Sequence, residues 1–273
     1  MPIRLIAEAV HRCLAPDARQ LPQFIIPGAM KAGTTSLFEH LRGHPQLRAS
    51  RDKEVHYFDM KYDRGARWYA SQFPRWARVK GVPSLGFEAS PYYLFDPRVP
   101  RRVRELLPRV KIVVVLRDPV DRAFSHYQNN RRLGREPLSF EDAIEAEPSR
   151  LAGEEQRLID DPLATSRPHK WYSYLSRGLY RDQLLRWRAH FPTGQIHVID
   201  AERLFRCPRA VLAEVLEFLC VDPWEPSSLA PFNEGGYRET MRADTRRRLA
   251  QFFEPHERAL ADLIGWCPSA SRP

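Results

Sequence analysis

Between Pro27 and Ser36 the chain reads Pro-Gly-Ala-Met-Lys-Ala-Gly-Thr-Thr-Ser. The apolar run Phe24-Ile25-Ile26 precedes this stretch, and Leu37, Phe38 and Leu41 follow it at helical spacing. A strand, a glycine-bearing loop and a helix in that order offer backbone N–H groups and a helix N-terminus to an anion. Gly28 and Gly33 allow close backbone approach around Ala32, the hydroxyls of Thr34, Thr35 and Ser36 donate to phosphate oxygens, and Lys31 adds a point charge. A second block, Leu116-Arg117-Asp118-Pro119-Val120-Asp121-Arg122-Ala123-Phe124-Ser125, follows the most apolar stretch of the chain. Arg117 falls at the carboxyl end of that stretch, where open α/β sheets bind ligands, and Ser125 lies eight residues on in the following helix. Together they are placed to hold a second phosphate.

The spacing of Gly28 and Gly33 is that of the nucleoside triphosphate loop Gly-x-x-x-x-Gly-Lys-Ser/Thr. Thr34 stands at the lysine position, and the lysine sits three residues earlier. The two blocks resemble the sulfotransferases that use 3′-phosphoadenosine 5′-phosphosulfate (PAPS). In that superfamily the first loop binds the 5′-phosphosulfate, and an Arg and a Ser in an Arg-Asp-Pro…Ser pattern bind the 3′-phosphate. A third block, Arg51-Asp52-Lys53-Glu54-Val55-His56-Tyr57-Phe58-Asp59, is similar to the Lys-Glu-x-His segment of the heparan sulfate sulfotransferase-like branch. Weaker similarity continues through Glu88 to Tyr92, Gly178 to Tyr180 and Asn233 to Arg238, so it covers residues 22 to 265.

The resemblance implies in-line displacement at sulfur, with PAPS as donor co-substrate and no metal. Glu54 is the implied base toward the acceptor. His56, whose ordinary pKa is about 6.5, is the second choice. Lys31 would stabilise negative charge developing on the bridging oxygen. Tyr180 and Arg181 would support the nucleotide pocket. So would Gly236, Tyr237 and Arg238, which partly keep the family's basic glycine loop near the C-terminus. His126 and Asn129 share a helical face with Ser125 and could look toward the acceptor. Ala89 stands where some glycan-modifying relatives carry a lysine, a departure that bears on a heparan-type acceptor. The expected acceptor is a carbohydrate or small natural product. Tyr62, Trp68, Trp171 and Tyr172 are aromatic candidates for its site.

These blocks need elements to position them. Strands are expected at Phe24–Ile26, Gly86–Ala89, Lys111–Leu116 and Gln195–Asp200. Helices are expected over Thr34–Arg42, Pro97–Leu107, Asp118–Arg131, Leu179–Phe191, Arg209–Leu219 and Thr240–Ile264. Residues 135 to 170 read as helical segments broken by loops. Strands alternating with helices give an α/β fold, a single P-loop-like domain with a central parallel sheet flanked by helices. The expected boundaries are a lead-in over residues 1–22 and the domain over 23–268, with no linker between two domains.

Composition narrows the rest. The chain has 273 residues and 43 Lys+Arg against 34 Asp+Glu, a formal charge of +9. Only Lys31, Lys53, Lys61, Lys80, Lys111 and Lys170 are lysines, so the cation is mostly arginine, which suits bidentate recognition of anions. The longest clean apolar run, Ile112 to Leu116, is far short of the ~20 residues that a membrane span needs. Cys13, Cys207, Cys220 and Cys267 form no Cys-x-x-Cys pair and read as reduced thiols in a cytoplasmic protein. Two rival functions share some features. A kinase or NTPase would use the same loop, but Arg117 follows the run where a Walker-B Asp would stand. A basic nucleic-acid-binding protein would explain the charge, yet the arginines are scattered and no helix-turn-helix or zinc pattern is present.

Overall fold

The computed structural model describes residues 21–75, 78–79, 81–226, 228–229, 240–266 and 268. Five strands form one parallel sheet: β1 (Phe24–Gly28), β2 (Leu47–Ala49), β3 (Leu85–Ala89), β4 (Lys111–Leu116) and β5 (Ile196–Asp200), in the order β2-β3-β1-β4-β5. All neighbouring pairs run parallel. β1 therefore sits in the middle. The chain leaves it toward β2 and β3 on one side and later returns to β4 and β5 on the other. Such a reversal of strand order opens a crevice at the carboxyl ends of the strands.

The sequence explains the central strands. β1 is buried throughout, and β4 is buried from Ile112 onward, as expected of apolar, β-branched strands covered on both faces. Phe24 and Phe87 stack across β1 and β3 with ring centroids 4.7 Å apart, and Phe38 from the first helix packs on Phe87 at 5.1 Å. Helix α1 (Thr34–Arg42) thereby buries Leu37, Phe38 and Leu41 against the sheet.

The remaining helices are α2 (Tyr57–Met60), α3 (Gly65–Ser71), α4 (Val99–Leu106), α5 (Pro119–Arg132), α6 (Phe140–Glu145), α7 (Glu147–Leu151), α8 (Glu154–Asp160), α9 (Arg167–Trp171), α10 (Tyr180–Arg188), α11 (Ala201–Arg206), α12 (Pro208–Leu219) and α13 (Ala243–Ile264). A second cluster of buried apolar residues supports α5. It joins Val120, Ala123 and Tyr127 to Phe140, Tyr174 and Phe253.

The expected parallel α/β architecture is observed, with some corrections. β2 was not foreseen: three residues of mixed character carry no readable period, and only pairing with β3 makes them a strand. α11 also escaped, because Asp200 ends β5 and at once caps a new helix by accepting from the Glu202 N–H at 3.0 Å. The region 135–170 resolves into four short helices. α4 starts at Val99, α10 stops at Arg188 and α13 starts at Ala243, each shorter than expected.

Gly28 closes β1 where the chain after β3 crosses it. A Cβ there would meet the Leu94 Cβ at 2.7 Å. Gly28→Ala should therefore cost about 1–3 kcal/mol, as overpacking does. Urea denaturation checks this. An unchanged midpoint would show that the segment around Leu94 yields freely.

Candidate active site

The loop after β1 turns back on itself. The Ala29 N–H donates to the Val115 carbonyl of β4 at 2.7 Å, and the Ala32 N–H donates to the Ala29 carbonyl at 3.2 Å. Lys31 adopts a left-handed backbone, φ 68°, as does Gly33, φ 96°. For a lysine this costs about 1–2 kcal/mol, the kind of local strain found where a loop is shaped for a ligand. Gly33 is the N-cap of α1, and a Cβ there would also strike the Phe205 ring at 2.9 Å. The first N–H groups of a helix have no acceptor within the helix. Here they belong to Thr34, Thr35 and Ser36, and the first turn carries no acidic residue. The N-terminus of α1 is thus electrostatically favourable to an anion.

Arg117, at the end of β4, donates from Nη1 to the Lys31 carbonyl at 3.2 Å. Its Nε is buried and has no hydrogen-bond partner among the described residues. The two blocks therefore touch, and one buried guanidinium N–H of Arg117 is left without an acceptor among the described residues. Tyr180 donates its hydroxyl to the Arg117 carbonyl at 2.9 Å and so fixes the strand end behind that guanidinium. Asp118 caps α5 by accepting from the Asp121 N–H at 2.9 Å. Ser125 lies buried on α5.

The third block forms a charged cluster. His56 places Nε2 2.9 Å from a Glu54 carboxylate oxygen and Nδ1 2.7 Å from an Asp59 carboxylate oxygen. Burial alone would push the His56 pKa down, but the Asp59 and Glu54 carboxylates outweigh it and raise it to about 9. His56 is therefore an imidazolium near neutral pH, donating from both ring nitrogens. Burial would raise the Glu54 pKa, but hydrogen bonding and charge from His56, then Lys53 and Lys170, hold it below the ordinary carboxylate range. Lys53 Nζ lies 3.8 Å from Glu54. Burial lowers the Lys53 pKa against the pull of Glu54, and the Lys31 charge adds to the lowering. Lys170 Nζ stands 3.4 Å from His56 Nε2. That nitrogen donates to Glu54, so Lys170 acts there as a neighbouring cation, its own pKa lowered by burial.

The structure thus brings Lys31, Arg117, Glu54 and His56 to one end of the sheet. Asp59 was visible in the sequence only as the residue one turn beyond His56. Lys170 carried no local signal, since it arrives from 114 residues away. Arg177 was also missed. It is buried, stacks over Tyr92 and Phe95 at 4.8 and 5.1 Å, and reaches the Met30 sulfur at 2.9 Å. Burial lowers its pKa to about 10.

His126 corrects an expectation. It is fully buried against Tyr174, ring centroids 4.9 Å apart, so it does not look toward an acceptor. Asn129 is on the helix surface, accepting from Arg132 at 3.1 Å. Arg181 is exposed and pairs with Asp182 at 3.6 Å. The Trp171 ring has the guanidinium groups of Arg135 and Arg167 over it, at 4.9 and 5.7 Å. Gly236, Tyr237 and Arg238 lie outside the described residues.

A parallel sheet with a glycine-bearing loop and a helix N-terminus after its middle strand defines the P-loop-like α/β class. Residues 21–248 match the family described as Sulfotransferase domain, and the chain belongs to that family. It is 38% identical over 202 residues to the mouse heparan sulfate glucosamine 3-O-sulfotransferase 3B1, covering 74% of this chain and 47% of the mouse protein. It is 27% identical to the membrane-associated sulfotransferase kil1 of Dictyostelium discoideum, over 94% of this chain and 68% of that protein. The chain thus spans about half the length of the mouse relative. Among solved structures, a sulfotransferase from Alicyclobacillus acidocaldarius superposes with a TM-score of 0.72 at 32% identity, covering 92% of this chain and 98% of that one. No helix among the described residues is long and apolar enough to cross a membrane.

The raised His56 pKa has a consequence for stability. A group whose folded pKa exceeds its unfolded value of about 6.5 contributes fully below that value and loses its contribution as pH rises through the folded pKa. The melting-temperature advantage of the wild type over His56→Gln should accordingly shrink between pH 6.5 and pH values beyond about 9. A difference that stays constant over that window would contradict the assignment of imidazolium to His56.

Proposed function

We propose that the chain transfers a sulfuryl group from PAPS to a hydroxyl or amine of an acceptor, a carbohydrate or a small natural product. The observation that carries this reading is the contact between the two anion blocks. Arg117 reaches the Lys31 carbonyl and keeps a buried donor unspent. A ligand with a phosphosulfate at one end and a separate phosphate at the other fits two adjoining anion subsites. A nucleoside triphosphate, with its phosphates in a single row, fits them less well.

In this reading Lys31 and the N-terminus of α1, with Thr34, Thr35 and Ser36, hold the phosphosulfate, and Arg117 and Ser125 take the 3′-phosphate. Tyr180 supports Arg117 from behind. Glu54 takes the acceptor proton. His56 is a poor base, because it is already protonated at neutral pH. Its part is to orient Glu54 against Asp59. A carboxylate held below its ordinary pKa is ionised but weakly basic. The arriving sulfonate would neutralise the cationic field of Lys31 and Lys53 and so raise the basicity of Glu54 when the acceptor needs it. In-line displacement then forms the acceptor O–S or N–S bond and breaks the bond from sulfur to the bridging oxygen. Adenosine 3′,5′-bisphosphate leaves, with Lys31 balancing its new charge. The cations supply the neutralisation, so no metal is called for. The exposed thiols of Cys207 and Cys220 are free and suit the reducing cytoplasm, where we place the reaction.

Adenosine 3′,5′-bisphosphate should raise the melting temperature well above the effect of AMP, by preferential binding to the native state. Arg117→Ala should abolish most of that difference. Equal stabilisation by the two nucleotides would overturn the nucleotide assignment.

Glu54→Gln should lower kcat for transfer from PAPS by roughly 10²-fold or more, the scale of general-base contributions, with little change in bisphosphate affinity. His56→Ala should cost less. Near-normal turnover in Glu54→Gln beside a dead His56→Ala would assign the base to the histidine.

A further inference from the structure

Glu88 lies in β3 and pairs in register with Ile25 of the middle strand, with no solvent exposure at all. A carboxylate at the heart of a parallel sheet is expensive unless it is fully hydrogen-bonded. Three hydroxyls meet it. Tyr69 donates to Oε1 at 2.6 Å, Tyr93 to the same oxygen at 3.2 Å, and Ser90 to Oε2 at 2.7 Å. Two of these hydroxyls have a second task. The Ser90 oxygen accepts from the His56 N–H at 3.1 Å. The Tyr93 oxygen accepts from the N–H groups of Tyr57 and Phe58 at 2.7 and 3.3 Å.

Those three N–H groups begin helix α2, which has no side-chain cap of its own. The N-cap residue is His56, in a left-handed backbone with φ 58°. For a non-glycine residue that conformation costs about 1–2 kcal/mol and needs external support. A hydroxyl that donates to a carboxylate keeps its oxygen turned toward a donor and is polarised by it. Burial pushes the Glu88 pKa up to about 7 against the pull of the hydroxyls, so near neutral pH its carboxyl is divided between the charged and neutral forms. Ser90 and Tyr93 link that carboxyl to the backbone that aims the His56 ring at Glu54 and Asp59.

We infer that Glu88 is a positioning residue for the candidate active site, setting the His56 ring through Ser90 and Tyr93. This rests on the reading that Glu54 and His56 serve the acceptor. Tyr69 provides an internal control. It shares Glu88 with the other two, yet it touches the α2 segment only through its ring, stacked on Tyr57 at 4.5 Å and edge-to-face with Phe58 at 5.0 Å. The charged and titratable groups around the two ends of the relay are Glu54, Asp59 and Lys170 at His56, and Tyr69, Tyr93 and Asp59 at Glu88.

The test is an NMR titration of His56 in protein labelled at histidine, with the resonance assigned by His56→Gln. Melting temperature and adenosine 3′,5′-bisphosphate binding are measured on every variant. The His56 midpoint should stay near 9 in the wild type and in Tyr69→Phe. It should fall by about one pH unit or more, a roughly tenfold change in the proton equilibrium, in Ser90→Ala, Tyr93→Phe and Glu88→Gln. Should Glu88→Gln fail to fold, the two hydroxyl variants decide. An unmoved midpoint in Ser90→Ala and Tyr93→Phe overturns the proposal. So does an equal fall in Tyr69→Phe, which would mean general loosening. The base assignment fails separately, by retained turnover in Glu54→Gln, and that result leaves the His56 midpoints as they are.

Discussion

The end of the sheet where β1, β3 and β4 finish carries more positive than negative charge. Lys31, Lys53, Lys170, Arg117 and Arg177 gather there, with Glu54 and Asp59 as the carboxylates that meet His56. Burial already pushes Lys53, Lys170 and Arg177 toward losing their protons. Like charges so placed repel, and an arriving anion would relieve the repulsion. The rest of the fold holds this imbalance in place. The rigid parallel sheet fixes the loop of Lys31 through the Ala29–Val115 hydrogen bond, and Tyr180 fixes the strand end of Arg117. Buried aromatic rings of Tyr92 and Phe95 lie under the Arg177 guanidinium in place of a carboxylate.

The same constraint explains why the candidate base is a carboxylate with a protonated neighbour. Glu54 already pairs with Lys53 at 3.8 Å, and without His56 the lysines alone would set its position. His56 sits between the two carboxylates, 2.9 Å from one and 2.7 Å from the other, and so divides the attraction. Asp59 is anchored too. Its other oxygen accepts from the Met60 N–H at 2.6 Å. The ring is therefore held from a buried, fixed side and keeps Glu54 beside Lys53 and Lys170.

Much of this was legible in the sequence, for local reasons. The loop from Gly28 to Ser36 and the Arg117 junction stand out because glycines, hydroxyls and cations coincide with clear strand and helix periods. Glu54 and His56 could be named because they lie in one contiguous stretch. What stayed hidden depends on tertiary placement. β2 is a strand only because β3 lies beside it, and α11 begins where β5 has barely ended. Lys170 and Arg177 reach the site from the far half of the chain, with nothing in their neighbours to announce it. Glu88 read as part of a short strand and of a weak resemblance through Tyr92, with nothing local to show that its carboxyl would be buried among hydroxyls. His126 looked accessible on its helix face, but the second apolar cluster, through Tyr174, closes over it.

The account depends on a sulfuryl group leaving PAPS at this site. The direct measurement incubates the protein with sulfur-labelled PAPS and pools of glycan and small-molecule acceptors, in chelator and without added metal. Labelled products are followed by mass spectrometry and released nucleotide by chromatography. The account predicts label on an acceptor, matched mole for mole by adenosine 3′,5′-bisphosphate, with both lost in Lys31→Ala. Turnover of ATP with magnesium, with PAPS left intact across every acceptor pool, would contradict it.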